Sequence, residues 1–104
     1  MHDSSDKLLS IIDEMKELER YLAILYGIAA ARTNEPFIGA IMRKISIESA
    51  MHNYILTMLK SLIHECPPRR IFDLETLLSL QGSIEEAITH AKSLIDYMNS
   101  MEKV

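Results

Sequence analysis

An all-α fold is predicted for this chain, and three observations predict it. Apolar residues recur at steps of three and four over long stretches, the spacing that lines one face of an α-helix. Punctuation is sparse, with three Gly and three Pro in 104 residues, and no Asn-Gly or Asp-Gly pair signals a hairpin. Core-forming residues are Ile, Leu and seven Met, with no Trp. The expected architecture is a single domain over 1–104 with four helices in up-down order. Two are long (about 5–31 and 35–64) and two shorter (about 72–80 and 84–101).

The first helix carries the stripe Leu8, Ile11/Ile12, Met15, Leu18/Glu19, Leu22, Leu25/Tyr26 and Ala29, with Ser4, Ser5 and Asp6 as possible N-caps. Glu14 and Glu17 fall off that stripe and are expected in solvent. The break is Arg32-Thr33-Asn34-Glu35-Pro36, with Asn34 as a plausible cap and Pro36 suited to the first turn of the next helix. The second helix carries Ile38, Ile41, Ile45, Glu48, His52, Ile55/Leu56, Leu59 and Ile63, and stops at Glu65-Cys66-Pro67-Pro68 because consecutive prolines cannot continue it. Each long helix spans roughly 40 Å at ~1.5 Å per residue. Their short link predicts an antiparallel hairpin.

A third helix is expected from Phe72 to Leu80 with Asp73 as its cap, ended by Gln81-Gly82-Ser83. The fourth carries Ile84, Ala87/Ile88, Ala91, Leu94/Ile95, Met98 and Met101. Helix 2 has a second apolar set at Ile47, Ala50, Met51, Tyr54, Met58 and Leu62, and helix 1 has Tyr21, Ile24 and Ile28 away from its main stripe. Helices this apolar are buried from several sides. Two short helices cover only part of that surface, so a homodimer or larger homo-oligomer is expected to complete the fold.

Composition narrows the function. Hydrophobic content of 48% and charged content of 25% are ordinary globular values. A net charge of −4, with Arg69-Arg70 as the densest basic cluster, argues against a nucleic-acid partner. No apolar run approaches the ~20 residues of a bilayer span, so no membrane partner is expected. The polar, acidic residues Met1 to Asp6 do not resemble a secretory signal, and a cytoplasmic location is the expectation. The single Cys66 excludes an internal disulfide and a Cys-rich metal site within one chain. No Gly-rich phosphate loop is present.

What stands out is Glu48 and His52, two ionisable residues inside an otherwise apolar stripe. Burying a charge is costly unless it is paired, hydrogen-bonded or metal-bound. On the helical wheel Glu19 also falls inside the stripe of helix 1, beside Leu22 and Tyr26. One carboxylate from the first helix thus joins a carboxylate and an imidazole from the second, donors that suit iron, manganese or zinc. Helix 4 repeats the pattern superficially as Glu86 and His90. The wheel places Glu86 well off the stripe there, and Ser83-Ile-Glu-Glu86 fits a capping box. Glu75 sits in a first turn, where acids favour the helix dipole.

Glu19 followed by Glu48-Ser-Ala-Met-His52, with Tyr26 one heptad after Glu19, resembles the ferritin-like, rubrerythrin-type family over roughly residues 8–63. The resemblance implies a metal-binding protein with a di-iron or similar centre and ferroxidase or oxidant-reducing chemistry. It implies Glu19, Glu48 and His52 as metal ligands, with Tyr26 close by. The family's second-helix spacing is Glu-x-x-His, whereas here it is i, i+4. One chain supplies half of such a site, and a homodimer would supply the rest across a twofold axis. The alternative is a non-enzymatic helical dimerisation or adaptor module. In that case Glu48 and His52 are a buried ion pair that sets helix register, Glu19 accepts from Tyr26 or Tyr54, and the second apolar face is the working surface.

Overall fold

The computed structural model describes residues 3–66 and 74–102. It is all-α: α1 is Asp3–Arg32, α2 is Pro36–Glu65 and α3 is Leu74–Glu102. α1 begins at Asp3, so Ser4 and Ser5 lie inside the helix rather than capping it. The α1–α2 break falls where expected, but the cap is Glu35 and not Asn34. Its carboxylate accepts from the Phe37 backbone N–H at 3.1 Å, and Pro36 occupies the first turn, where no N–H partner is needed. α2 ends with the Cys66 N–H donating to the Leu62 carbonyl at 2.8 Å.

Helix 3 and helix 4 of the expected scheme are one helix. α3 runs unbroken through Gln81-Gly82-Ser83. Within it the Ser83 hydroxyl bonds back to the Ser79 carbonyl at 3.3 Å, so the anticipated capping box with Glu86 is not formed. A glycine inside a helix costs only about 1 kcal/mol. The packing outweighs that cost, because Leu77, Ile84, Ile88 and Ala91 keep heptad-like spacing across the glycine and are all buried. The expected start at Phe72 and cap at Asp73 lie outside the described residues.

α1 is the middle helix. α2 runs antiparallel to it, as contacts from Asn53 to Lys16 and from Ser46 to Ala23 show. α3 runs parallel to it, with Lys7 meeting Gln81 and Glu17 approaching Lys92. No Cα of α2 lies within 8 Å of one in α3. The molecule is an open three-helix layer of 53 × 21 × 18 Å rather than a closed four-helix bundle. Neighbouring residues of α1 serve opposite partners: Ile11 is buried with Leu77, Ile84 and Ile88 of α3, and Ile12 with Leu56 and Ile63 of α2. A step of ~100° per residue is what separates the two faces.

The largest correction concerns α2. The face against α1 is Gly39, Met42, Ser46, Ser49, Asn53, Leu56, Lys60 and Ile63. Of these, Gly39, Ser49, Leu56 and Ile63 are buried. It is a face of small and hydrogen-bonding residues. Ser46 Oγ donates to the Ala23 carbonyl at 2.6 Å, and Asn53 Nδ2 to the Lys16 carbonyl at 2.7 Å. Gly27 and Gly39 let the backbones close in: a Cβ at Gly39 would stand 3.1 Å from Thr33 Cγ2, and one at Gly27 3.4 Å from Ser46 Oγ. Of the stripe expected inside, Leu56 and Ile63 are buried and Ile45 is half-buried, but Ile38, Ile41, Ile55 and Leu59 are exposed.

Glu14, expected in solvent, faces α3. Gln81 Nε2 donates to its carboxylate, and Lys7 Nζ donates to Gln81 Oε1 at 2.9 Å. The hydrogen bond and charge of Glu14 raise the carboxyl of Glu85 above its ordinary value; Lys7 opposes this in part. A raised folded-state value means the ionised form is disfavoured by folding, and the penalty is present at neutral pH. It shrinks as pH falls through the folded value and is gone below the unfolded one. Glu85→Gln is therefore expected to raise the thermal midpoint at pH 7 slightly, since Glu85 is exposed and solvent screens the repulsion. The gain should vanish in melts run below the ordinary carboxylate range; an equal gain at both pH values would refute the assignment.

Candidate functional site

Near its midpoint, the hairpin brings Glu19 and His52 together across the α1–α2 seam, with His52 Nδ1 3.1 Å from Glu19 Oε2. The contact follows from the register that Asn53 and Ser46 set when they bond to α1 carbonyls one position and six positions away along α2. Glu19 is largely covered, its side chain 21% exposed, whereas His52 is 57% exposed and stands on the outer side. An ionised carboxylate only accepts, so Nδ1 carries the proton in this pair and Nε2 is the nitrogen left facing outward. Of the two tyrosines weighed as donors to Glu19, Tyr26 is half-buried and Tyr54 exposed; the hydrogen bond goes to His52 instead.

Glu48 is exposed and does not join them within the chain. The reason is rotational. The position three residues before His52 is Ser49, which is buried at 5% exposure against α1. Glu48, one residue earlier, is turned ~100° away and outward. Among the described residues, no three His, Cys, Asp or Glu side chains cluster closely enough to hold a metal ion. Glu86 and His90 are both exposed on α3. Glu75 is in the first turn of α3, as expected. Cys66 is free and exposed.

Around Glu48 and His52 lies the chain's main uncovered apolar surface. Ten large apolar side chains of α2 are exposed: Phe37, Ile38, Ile41, Ile47, Met51, Tyr54, Ile55, Met58, Leu59 and Leu62, at 41–72%. Phe37 and Tyr54 alone have ~150–250 Å² each to bury, and eight Ile, Leu and Met side chains add to them. At about half exposure the ten leave more apolar side chain in water than the few hundred Å² usual on a monomer. No described helix is long and apolar enough to cross a membrane. What sequence inspection did not single out is the set that orients this surface: Ser46, Ser49 and Asn53. Their signal is that each follows a member of the apolar stripe by one residue.

Comparison of the chain with protein-family models, with curated proteins and with solved structures finds no match.

Proposed function

We propose that this chain is a self-associating helical protein whose working surface is the outer face of α2. The observation that carries the proposal is the continuous run of exposed Ile, Leu, Met, Phe and Tyr along α2. Its extent matches the ~800 Å² per partner of a standard interface. Association would bury it and complete the helical layers. The test is sedimentation equilibrium of the unmodified chain at micromolar concentration. A dimer or larger homo-oligomer is expected; a monomer at every concentration overturns the proposal.

A second reading is metal binding of the ferritin-like kind that the sequence resembles, with iron, manganese or zinc as the ion. It is favoured by the Glu19–His52 contact at 3.1 Å on this same surface. The donors of one chain fit such an ion only in part, since Glu48 stands apart from the other two. The pair also has the form in which a carboxylate orients a histidine and leaves Nε2 free to ligate, so Glu19 would position the imidazole. A complete set needs donors from a second chain. The ion would supply Lewis-acid or redox chemistry, and Tyr26 would lie near it. Metal analysis after loading with ferrous iron decides the matter. Content near two atoms per dimer that falls in His52→Ala supports it; a trace unchanged by that substitution removes it.

A further inference from the structure

We infer that the partner on α2 is a second copy of this chain, packed antiparallel in one register, with Glu48 of each chain meeting His52 of the other. The inference rests on the self-association proposed above and adds the geometry.

The outer stripe of α2 is Ile38, Ile41, Ile45, Glu48, His52, Ile55, Leu59 and Leu62, all exposed except the half-buried Ile45. Its steps are 3, 4, 3, 4, 3, 4, 3, a heptad seam of the kind that packs helix on helix. Each member precedes by one residue a member of the face that packs on α1. The two faces are thus ~100° apart, close to the right angle between the two neighbours of a helix at the corner of a four-helix bundle. The seam is also symmetric about position 50. Lay it antiparallel on a copy of itself about that point, and Ile38 meets the partner's Leu62, Ile41 its Leu59, Ile45 its Ile55, and Glu48 its His52. A twofold axis at that point makes both halves of the interface identical.

Charge selects this register over its competitors. A heptad slip in either direction sets Glu48 and His52 against Ile or Leu and buries unpaired polar groups. Centring the axis on residue 48 opposes two carboxylates, and centring it on residue 52 opposes two imidazoles. Parallel, in-register packing does both at once. The register centred on 50 pairs each carboxylate with an imidazole and each hydrocarbon with a hydrocarbon. His52 is already anchored through Nδ1 to Glu19 of its own chain. Its outward Nε2 is the atom placed to meet the partner's Glu48, and in that pair it carries a proton too, so that the imidazolium donates to a carboxylate from each ring nitrogen. A polar pair inside an apolar seam is a known means of fixing register at some cost in stability.

The experiment is disulfide mapping on the full chain carrying Ile45→Cys and Ile55→Cys, in a Cys66→Ser background. Along one helix, positions 45 and 55 are ~15 Å apart, beyond the ~7 Å Cα limit of a disulfide. Any 45-to-55 bond therefore joins two chains. Air oxidation followed by peptide mapping should give 45-to-55 linkages at least about five-fold in excess of 45-to-45 and 55-to-55. Like-to-like linkages in equal or greater amount overturn the register. Sedimentation of the parent chain separates the failures. A parent dimer with like-to-like linkages discards the register alone, and a parent monomer discards self-association with it.

Discussion

Leu77→Ala is expected to destabilise the protein by about 2–5 kcal/mol, the usual cost of emptying a buried leucine site. Leu77 is 2% exposed and meets Ile11, Ile84 and Ile88, with Leu8, Met15, Leu18 and Tyr21 closing the cluster. That cluster is the apolar attachment of α3, which has no contact with α2 to fall back on. The loss should therefore be local before it is global. Hydrogen exchange should show protection falling along α3, while the α1–α2 hairpin keeps its own through Ile12, Leu56 and Ile63. A uniform loss over all three helices would show instead that the layer unfolds as one unit.

Ile55→Asp is expected to weaken self-association by on the order of 100-fold or more, because it puts an unpaired carboxylate into the apolar half of the seam. Ile55 is 54% exposed in the single chain and belongs to neither buried cluster, so the substitution should spare the main α1–α2 contact. Helix content by circular dichroism should match that of the parent, while the sedimentation profile moves to monomer. If the variant stays associated at the parent's concentration dependence, the seam is not the interface. The Ile47, Met51, Tyr54 and Met58 face would then be the next to test, with Met51→Lys or Met58→Lys. Loss of helix content together with association would mean Ile55 supports the chain's own fold.

Much of the secondary structure was legible because its causes are local. Pro36 marks the start of α2, and the Cys66-Pro67-Pro68 run marks its end, through backbone chemistry that needs no tertiary partner. Gln81-Gly82-Ser83 misled because a weak helix breaker was read as a strong one. Leu77 and Ile84 lie on one face, seven residues apart, and both pack on Ile11. That shared contact holds the helix together across Gly82. The Glu14–Gln81–Lys7 cluster was invisible for a similar reason: each residue reads as solvent-facing until α3 is laid beside α1.

For the candidate site, the wheel grouped Glu19 with Glu48 and His52; the fold joins Glu19 to His52 at 3.1 Å and leaves Glu48 apart. It misjudged which way that group faces. A wheel ranks faces by apolarity, and the most apolar face of α2 is the Ile-rich one. The contact with α1 is made by Leu56 and Ile63 on Ile12 together with Gly39, Ser46, Ser49 and Asn53, of which Ser46 and Asn53 bond to the carbonyls of Ala23 and Lys16. Such a face is recognisable only beside its complement, the small residues Ala23, Gly27 and Ala30 of α1.

By itself, then, the sequence determined that the chain is helical, where α1 yields to α2, and which three polar residues interrupt the apolar stripes. These follow from spacing, from proline geometry and from the cost of burying charge. The tertiary structure decided that α3 is one helix, that α1 lies between its two partners, and that the Glu48–His52 stripe faces outward. Those outcomes turn on which faces fit together, a property of pairs of surfaces rather than of either helix alone.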